Sequence, residues 1–133
     1  SALKEDVDAG AYDRMNQRAR QNVLGNQGMD IHTTAGIDGN TYVTVAIVYK
    51  VAAEIGSLGD NIRFLRGQIQ QDRILHRIAA TAHTFHTVSS HTRWASVGAI
   101  SEANCHPLDA RTDSHPGGSQ GPMHVCLNGD IDN

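Results

Sequence analysis

The run from Thr41 to Val51, Thr-Tyr-Val-Thr-Val-Ala-Ile-Val-Tyr-Lys-Val, constrains the fold more than any other feature of the chain. β-branched and aromatic side chains dominate it, and these fit a pleated surface better than a helix. The run therefore reads as a long strand, and a strand of that length needs a partner and a covered face. Thr44 and Lys50 interrupt it, and it is far too short to span a bilayer. With 133 residues the chain can build one domain around a modest core.

The flanking patterns supply the remaining elements. Leu3, Val7, Ala11, Met15, Ala19 and Val23 recur every four residues, which predicts an amphipathic helix over 3–24 with Gly25 as its C-cap. Residues 26–40, with Gly28, Gly36, Gly39, Asn26 and Asn40, have loop composition. After a turn at Gly56, Ser57, Gly59 and Asp60, Ile62–Leu65 reads as a short strand, the hairpin partner of the first. Ile69, Ile74, Leu75 and Ile78 predict a helix over 68–80. Thr84–Thr92 reads as a strand, 109–122 as a Pro- and Gly-containing loop, and Met123–Leu127 as a short strand before an Asn128-Gly129 turn. Helix, two strands, helix, strand, loop, strand is an α+β order and not a regular βαβ alternation.

Composition excludes several classes. A net charge of −3 offers no basic footprint for nucleic acid, and no apolar stretch suits a membrane. The first residues, Ser1-Ala2-Leu3-Lys4-Glu5-Asp6, contain no signal-peptide core. Cys105 and Cys126 are too few for a disulfide framework and read as buried thiols in a reducing, cytoplasmic setting. His83, His86, His91, His106, His115 and His124 follow no recognised metal-ligand spacing, and on a strand His83 and His86 would face opposite ways, so no metal is expected.

Two stretches concentrate chemistry. In His91-Thr92-Arg93-Trp94-Ala95-Ser96-Val97-Gly98, Arg93 is a bidentate carboxylate receptor beside the apolar wall of Trp94, and Ser96 adds a hydroxyl. In Val125-Cys126-Leu127-Asn128-Gly129, a side-chain amide and a backbone N–H can point one way, as in an oxyanion hole. On residue types alone the plainer readings prevail: a surface ion pair, a core Trp and a hairpin turn.

The first stretch, continued through Ser101-Glu102, Asn104, His106 and Pro107, resembles the signature of glucosamine-fructose-6-phosphate aminotransferases, which are class II glutamine amidotransferases. That signature runs H-T-R-W-A-T-H-G, then S-E-x-N-A-H-P-H. The second stretch resembles the same family's V-V-V-H-N-G-I-I-E-N in Val125, Asn128, Gly129, Ile131 and Asn133. Val43–Leu65 is weakly similar to the family's hairpin, and residues 1–40 align with nothing firmly. The resemblance implies one partial amidotransferase domain over 1–133, with 1–40 as helix and loop and 41–133 as the core carrying both motifs. It also implies part of the four-layer αββα sandwich of N-terminal nucleophile hydrolases. Arg93 would hold the substrate α-carboxylate, Trp94 would wall the pocket, and Ser96 and His106 would support substrate binding. Asn128 and Gly129 would stabilise the tetrahedral oxyanion, each donor being worth ~3 kcal/mol at the transition state. The implied ligands are glutamine and glutamate, with no cofactor. The implied partner is the rest of a parent chain or a synthase domain that binds a phosphosugar; a homo-oligomer is compatible with this.

Departures from the pattern matter as well. Val97, Leu108 and Leu127 stand where the family has His, which points to a divergent branch. The family's nucleophile is an N-terminal Cys whose own amine serves as base. This chain starts with Ser1 and a polar helical segment, and Cys105 and Cys126 fall at non-catalytic family positions. The expectation is an internal piece of a parent with a Cys strand before residue 1 and further strands after Asn133, inactive by itself. The alternatives are a catalytically dead amidotransferase-like module, or a different class II member such as a glutamate synthase or phosphoribosyl amidotransferase.

Overall fold

The computed structural model describes residues 9–21, 25–52, 59–92, 98–110 and 123–127. Its elements run α1 (Ala9–Gln21), β1 (Gly28–Ala35), β2 (Thr41–Val48), α2 (Asp60–Gln71), α3 (Arg73–Ala80), a 3-10 turn (Glu102–Asn104), β3 (Leu108–Ala110) and β4 (Met123–Val125). The strands form two antiparallel pairs, β1 with β2 and β3 with β4. The architecture is mixed helix and antiparallel strand, as the element order predicts.

The core lies where α1 crosses the β1–β2 pair. Ala11 and Met15 recur at the four-residue spacing of the apolar stripe and are buried, as is Met29 of β1. Register then decides which strand residues join them. Met29 lies opposite Ile47 and Ile31 opposite Val45, so these four occupy one face of the pair. Ile74 and Ile78 of α3 close over the same cluster. By contrast, α2 buries none of its residues.

Four expectations from the sequence are corrected. Residues 26–40 are not a loop, because Gly28–Ala35 forms β1 and pairs along its whole length with Thr41–Val48. Gly28 opens β1, and Gly36 and Gly39 belong to the turn that joins the strands. Gly39 has φ +79°, which favours a residue without Cβ, and Gly36 packs so closely that an added Cβ would come within 2.6 Å of the Tyr42 ring. Ile62–Leu65 is consequently not the partner of β2. It lies inside α2, where Ile62, Leu65 and Ile69 follow the helical spacing of three and four. The turn expected before it survives at Gly59, which takes φ +95° directly before the helix.

The helix expected over 68–80 breaks at Asp72. That residue is extended (φ −76°, ψ 97°), and its carboxylate accepts the N–H groups of Ile74 and Leu75 at 2.9 and 3.1 Å. Asp is a strong N-cap, so one residue both ends α2, its N–H donating to the Ile69 carbonyl, and starts α3 through its side chain. Thr84–Thr92 is not a strand. It runs alongside no partner among the described residues, and Phe85 and Val88 remain exposed. β propensity is expressed only where neighbours pack against it.

At the β1–β2 turn, Asp38 accepts from the Tyr42 hydroxyl at 2.6 Å, the Asn40 side-chain amide at 2.8 Å and the Asn40 N–H at 3.1 Å. These bonds, the Tyr42 bond foremost, lower its pKa from 3.8 to about 2. A depressed carboxyl pKa stabilises the fold above the ordinary value, and that contribution is lost as pH falls through the folded value. The turn is therefore expected to hold at pH 5 and loosen between about pH 4 and 2. Tyr42→Phe should move the Asp38 titration back toward the ordinary value. NMR titration of the Asn40 amide checks both; an Asp38 midpoint unchanged by Tyr42→Phe would contradict the assignment.

Candidate functional site

The segment that follows the first motif pairs with the one that precedes Asn128. β3 follows directly from the first motif, and β4 leads into the second. Their pairing sets Leu108 opposite Val125, Asp109 opposite His124 and Ala110 opposite Met123. Just before β3, the His106 ring meets both sequence stretches. Its Nδ1 accepts the Leu127 N–H at 3.2 Å. That bond assigns the neutral tautomer with its proton on Nε2. The same ring stacks on His91, with centroids 4.4 Å apart and planes 29° from parallel. Ser89 adds a long O–H···S contact to Cys126 at 3.8 Å.

The local turns hold this arrangement in place. Ser101 accepts the Asn104 N–H at 3.3 Å and caps the 3-10 turn, and the Asn104 side chain donates to the Ala99 carbonyl at 2.9 Å. Glu102 reaches the Asn26 N–H at 3.3 Å, and the Cys105 thiol reaches the Val51 carbonyl at 3.6 Å. These two contacts tie the motif turn to the open end of the β1–β2 pair, one to the segment before β1 and one to the segment after β2. Cys105 is only half-buried and Cys126 is exposed, so the expectation of two buried thiols is corrected.

Of the residues singled out in the sequence, His106 is described. Arg93, Trp94, Ser96, Asn128 and Gly129 lie outside the described residues, as does Val97. The described chain reaches Thr92, immediately before Arg93, and Leu127, immediately before Asn128. His83 and His86 do not face opposite ways as expected of a strand. Their rings meet edge to face with Nε2 and Nδ1 3.1 Å apart, because this segment is not a strand. Among the described residues no group of three His, Cys, Asp or Glu side chains converges as a metal site would require. No helix of the described residues is long and apolar enough to cross a membrane.

One polar node escaped the sequence reading altogether. Asp72, besides capping α3, accepts from Arg18 Nη1 of α1 at 2.5 Å and from the Tyr49 hydroxyl at 2.6 Å. Burial pushes the Asp72 carboxyl up, but the bonds from Tyr49, Arg18 and the Leu75 N–H, with the Arg18 charge, outweigh it and hold the group below its ordinary value. Burial, then the bond to Asp72 and its charge, drive the Tyr49 hydroxyl well above the usual range for tyrosine. Only the lone Asp between helical stretches hinted at a cap here; nothing in the sequence tied it to Arg18, 54 positions earlier.

Comparison with known families, with curated proteins and with solved structures finds no match to this chain in any of the three.

Proposed function

We propose that the chain is the glutamine-binding part of a class II glutamine amidotransferase, most similar to the sugar-aminotransferase branch. The observation that carries the reading is the contact of both motif-bearing stretches with one imidazole. His91 stacks on His106, and Leu127 donates to it. Arg93 lies two residues after His91, and Asn128 follows Leu127 directly. An Arg that grips the α-carboxylate and an amide pair that faces the side-chain carbonyl must be near each other to bind one amino acid. The contacts at His106 support the reading by bringing His91 and Leu127 to one ring. In this reading the two antiparallel pairs are parts of a four-layer αββα sandwich.

The chemistry follows from those groups. Arg93 fixes the substrate by a two-point, charge-assisted contact, and Trp94 excludes water beside it. Asn128 and Gly129 N–H stabilise the oxyanion formed when a thiolate attacks the γ-carboxamide, and a synthase partner takes up the ammonia released. In the 133-residue chain neither Cys105 nor Cys126 has a free α-amine to act as its base. Binding without turnover is the expected behaviour.

Isothermal calorimetry of the folded chain with glutamine and glutamate tests this. Saturable binding is expected, reduced at least roughly tenfold in Arg93→Ala through loss of the charge-assisted contact. No binding by a chain that is folded by circular dichroism would refute the reading and leave a structural module. Ammonia release by the same preparation would refute the expected lack of turnover.

A further inference from the structure

The segment after α3 brings two imidazoles together. Thr81 ends the helix: its N–H donates to the Ile78 carbonyl and its hydroxyl to the Arg77 carbonyl, each at 3.0 Å. The Thr81 carbonyl, anchored in this way, meets Nδ1 of His83 at 3.0 Å. A carbonyl only accepts, so Nδ1 carries the proton, and in the neutral ring Nε2 keeps its lone pair. Nε2 lies 3.1 Å from Nδ1 of His86, with the two rings edge to face. Both side chains are exposed, and both precede the first motif.

The spacing of these nitrogens matches the bite of a metal chelate. Two ring nitrogens at metal-bonding distance from one ion lie about 2.9 Å apart at a right angle and about 3.3 Å apart at the tetrahedral angle. The observed 3.1 Å falls between the two. His83 also makes the outer contact that metal-binding imidazoles make: its other N–H rests on a backbone carbonyl, which fixes the tautomer and makes the ligating nitrogen more basic. Coordination moves the His86 proton from Nδ1 to Nε2, with no net proton released. Among the described residues no third His, Cys, Asp or Glu joins the pair. Three converging ligands are what a closed, resident site requires. With two, water fills the remaining positions and the ion exchanges with solution. Imidazole suits late first-row divalent ions, whereas Mg²⁺ takes oxygen ligands.

We propose that His83 Nε2 and His86 Nδ1 form an open chelate for a late first-row divalent metal ion, of the zinc and copper class. The sequence argued against a metal because a strand would turn these rings to opposite faces. The segment forms no strand, and the rings converge. The chelate uses neither Arg93 nor Asn128 and Gly129, so it stands apart from the glutamine reading.

The test is an NMR titration of the full 133-residue chain with zinc chloride, followed at the imidazole nitrogens of its eight histidines. His83 Nε2 and His86 Nδ1 should shift together and saturate at one equivalent of bound zinc. Magnesium chloride should shift neither. His83→Ala should weaken the His86 response at least roughly tenfold, as loss of half a chelate requires, and His86→Ala should do the same to His83. His76→Ala, at an exposed position on α3, should leave both responses unchanged. All three substitutions are at exposed positions, and a matching circular dichroism spectrum confirms the fold. The proposal falls if zinc produces no saturable shift of the pair up to about 1 mM. It falls equally if His86 responds as strongly in His83→Ala, which would mean that each ring binds alone.

Discussion

Asp72→Ala is expected to destabilise the chain by about 3–5 kcal/mol, the cost of leaving a buried charge without its partner. Three losses coincide at this residue. The Arg18 guanidinium, whose side chain is 14% exposed, keeps its charge and loses its counterion. The Tyr49 hydroxyl loses its acceptor, and α3 loses the cap on Ile74 and Leu75. A lost N-cap alone costs about 1 kcal/mol. Asp72→Asn keeps one oxygen for the cap but places an NH2 where Tyr49 and Arg18 need an acceptor, and it removes the charge, so it should fall between wild type and Ala. Urea unfolding followed by circular dichroism measures all three proteins. A loss below about 1 kcal/mol for Asp72→Ala would match an exposed surface pair and contradict the burial of this one. The pH dependence has a definite sign. The Asp72 carboxyl is held below its ordinary value. Its stabilising contribution is thus fully present above the unfolded carboxyl pKa, and it is lost as pH falls through the folded one.

Met15→Ala is the second large effect, with an expected cost of about 2–5 kcal/mol for truncating a fully buried Met. Met15 and Met29 are each only 1% exposed and are the largest fully buried side chains described. They meet where α1 lies on the β1–β2 face, together with Ile31, Val45, Ile47, Ile74 and Ile78. Removing Met15 opens a cavity that neighbours on three elements cannot all move to fill. Ala is the better helix former, but only by a few tenths of a kcal/mol, far below the packing loss. Ile62→Ala on α2 is the control. That side chain is exposed, so its change should stay within about 0.5 kcal/mol. Chemical denaturation of the two variants decides the matter; equal costs would mean that the core does not lie under α1.

The comparison of these two sites shows what the sequence made legible. The stripe through Ala11, Met15 and Ala19 and the β-branched run from Thr41 announce themselves, because helix and strand periods differ and each was followed over enough residues. The partner of β2 is hidden in the sequence for a local reason. Met29 and Ile31 alternate as a strand should, but they are followed by Gly36, Gly39 and Asn40, and the turn composition of those residues masks the strand before them. Ile62–Leu65 is too short for two- and three-residue periods to separate. At Thr84–Thr92 the β propensity is real, but only a neighbouring strand can supply pairing. Asp72 shows the same limit in the polar layer. Its capping role is local, but its bond to Arg18 depends on tertiary placement that no spacing encodes.

The candidate site divides in the same way. The motif residues stand out by identity, and the role of His106 does not. A histidine between Cys105 and Pro107 carries no signal that its ring will stack on His91 and accept from Leu127. Those contacts join residues 15 and 21 positions from it.

The span of the Arg18–Asp72 contact also bears on how the molecule assembles. The β1–β2 hairpin closes across the five residues from Gly36 to Asn40, an event of roughly 1–10 μs. The helix before it can lay its methionines on that platform early, but its guanidinium must wait for a carboxylate 54 positions along the chain. Contacts of such long separation form late, after closure entropy has been met by others. Changes at Asp72 should therefore speed unfolding more than they slow folding, which makes this carboxylate a latch on lifetime more than a guide to the route.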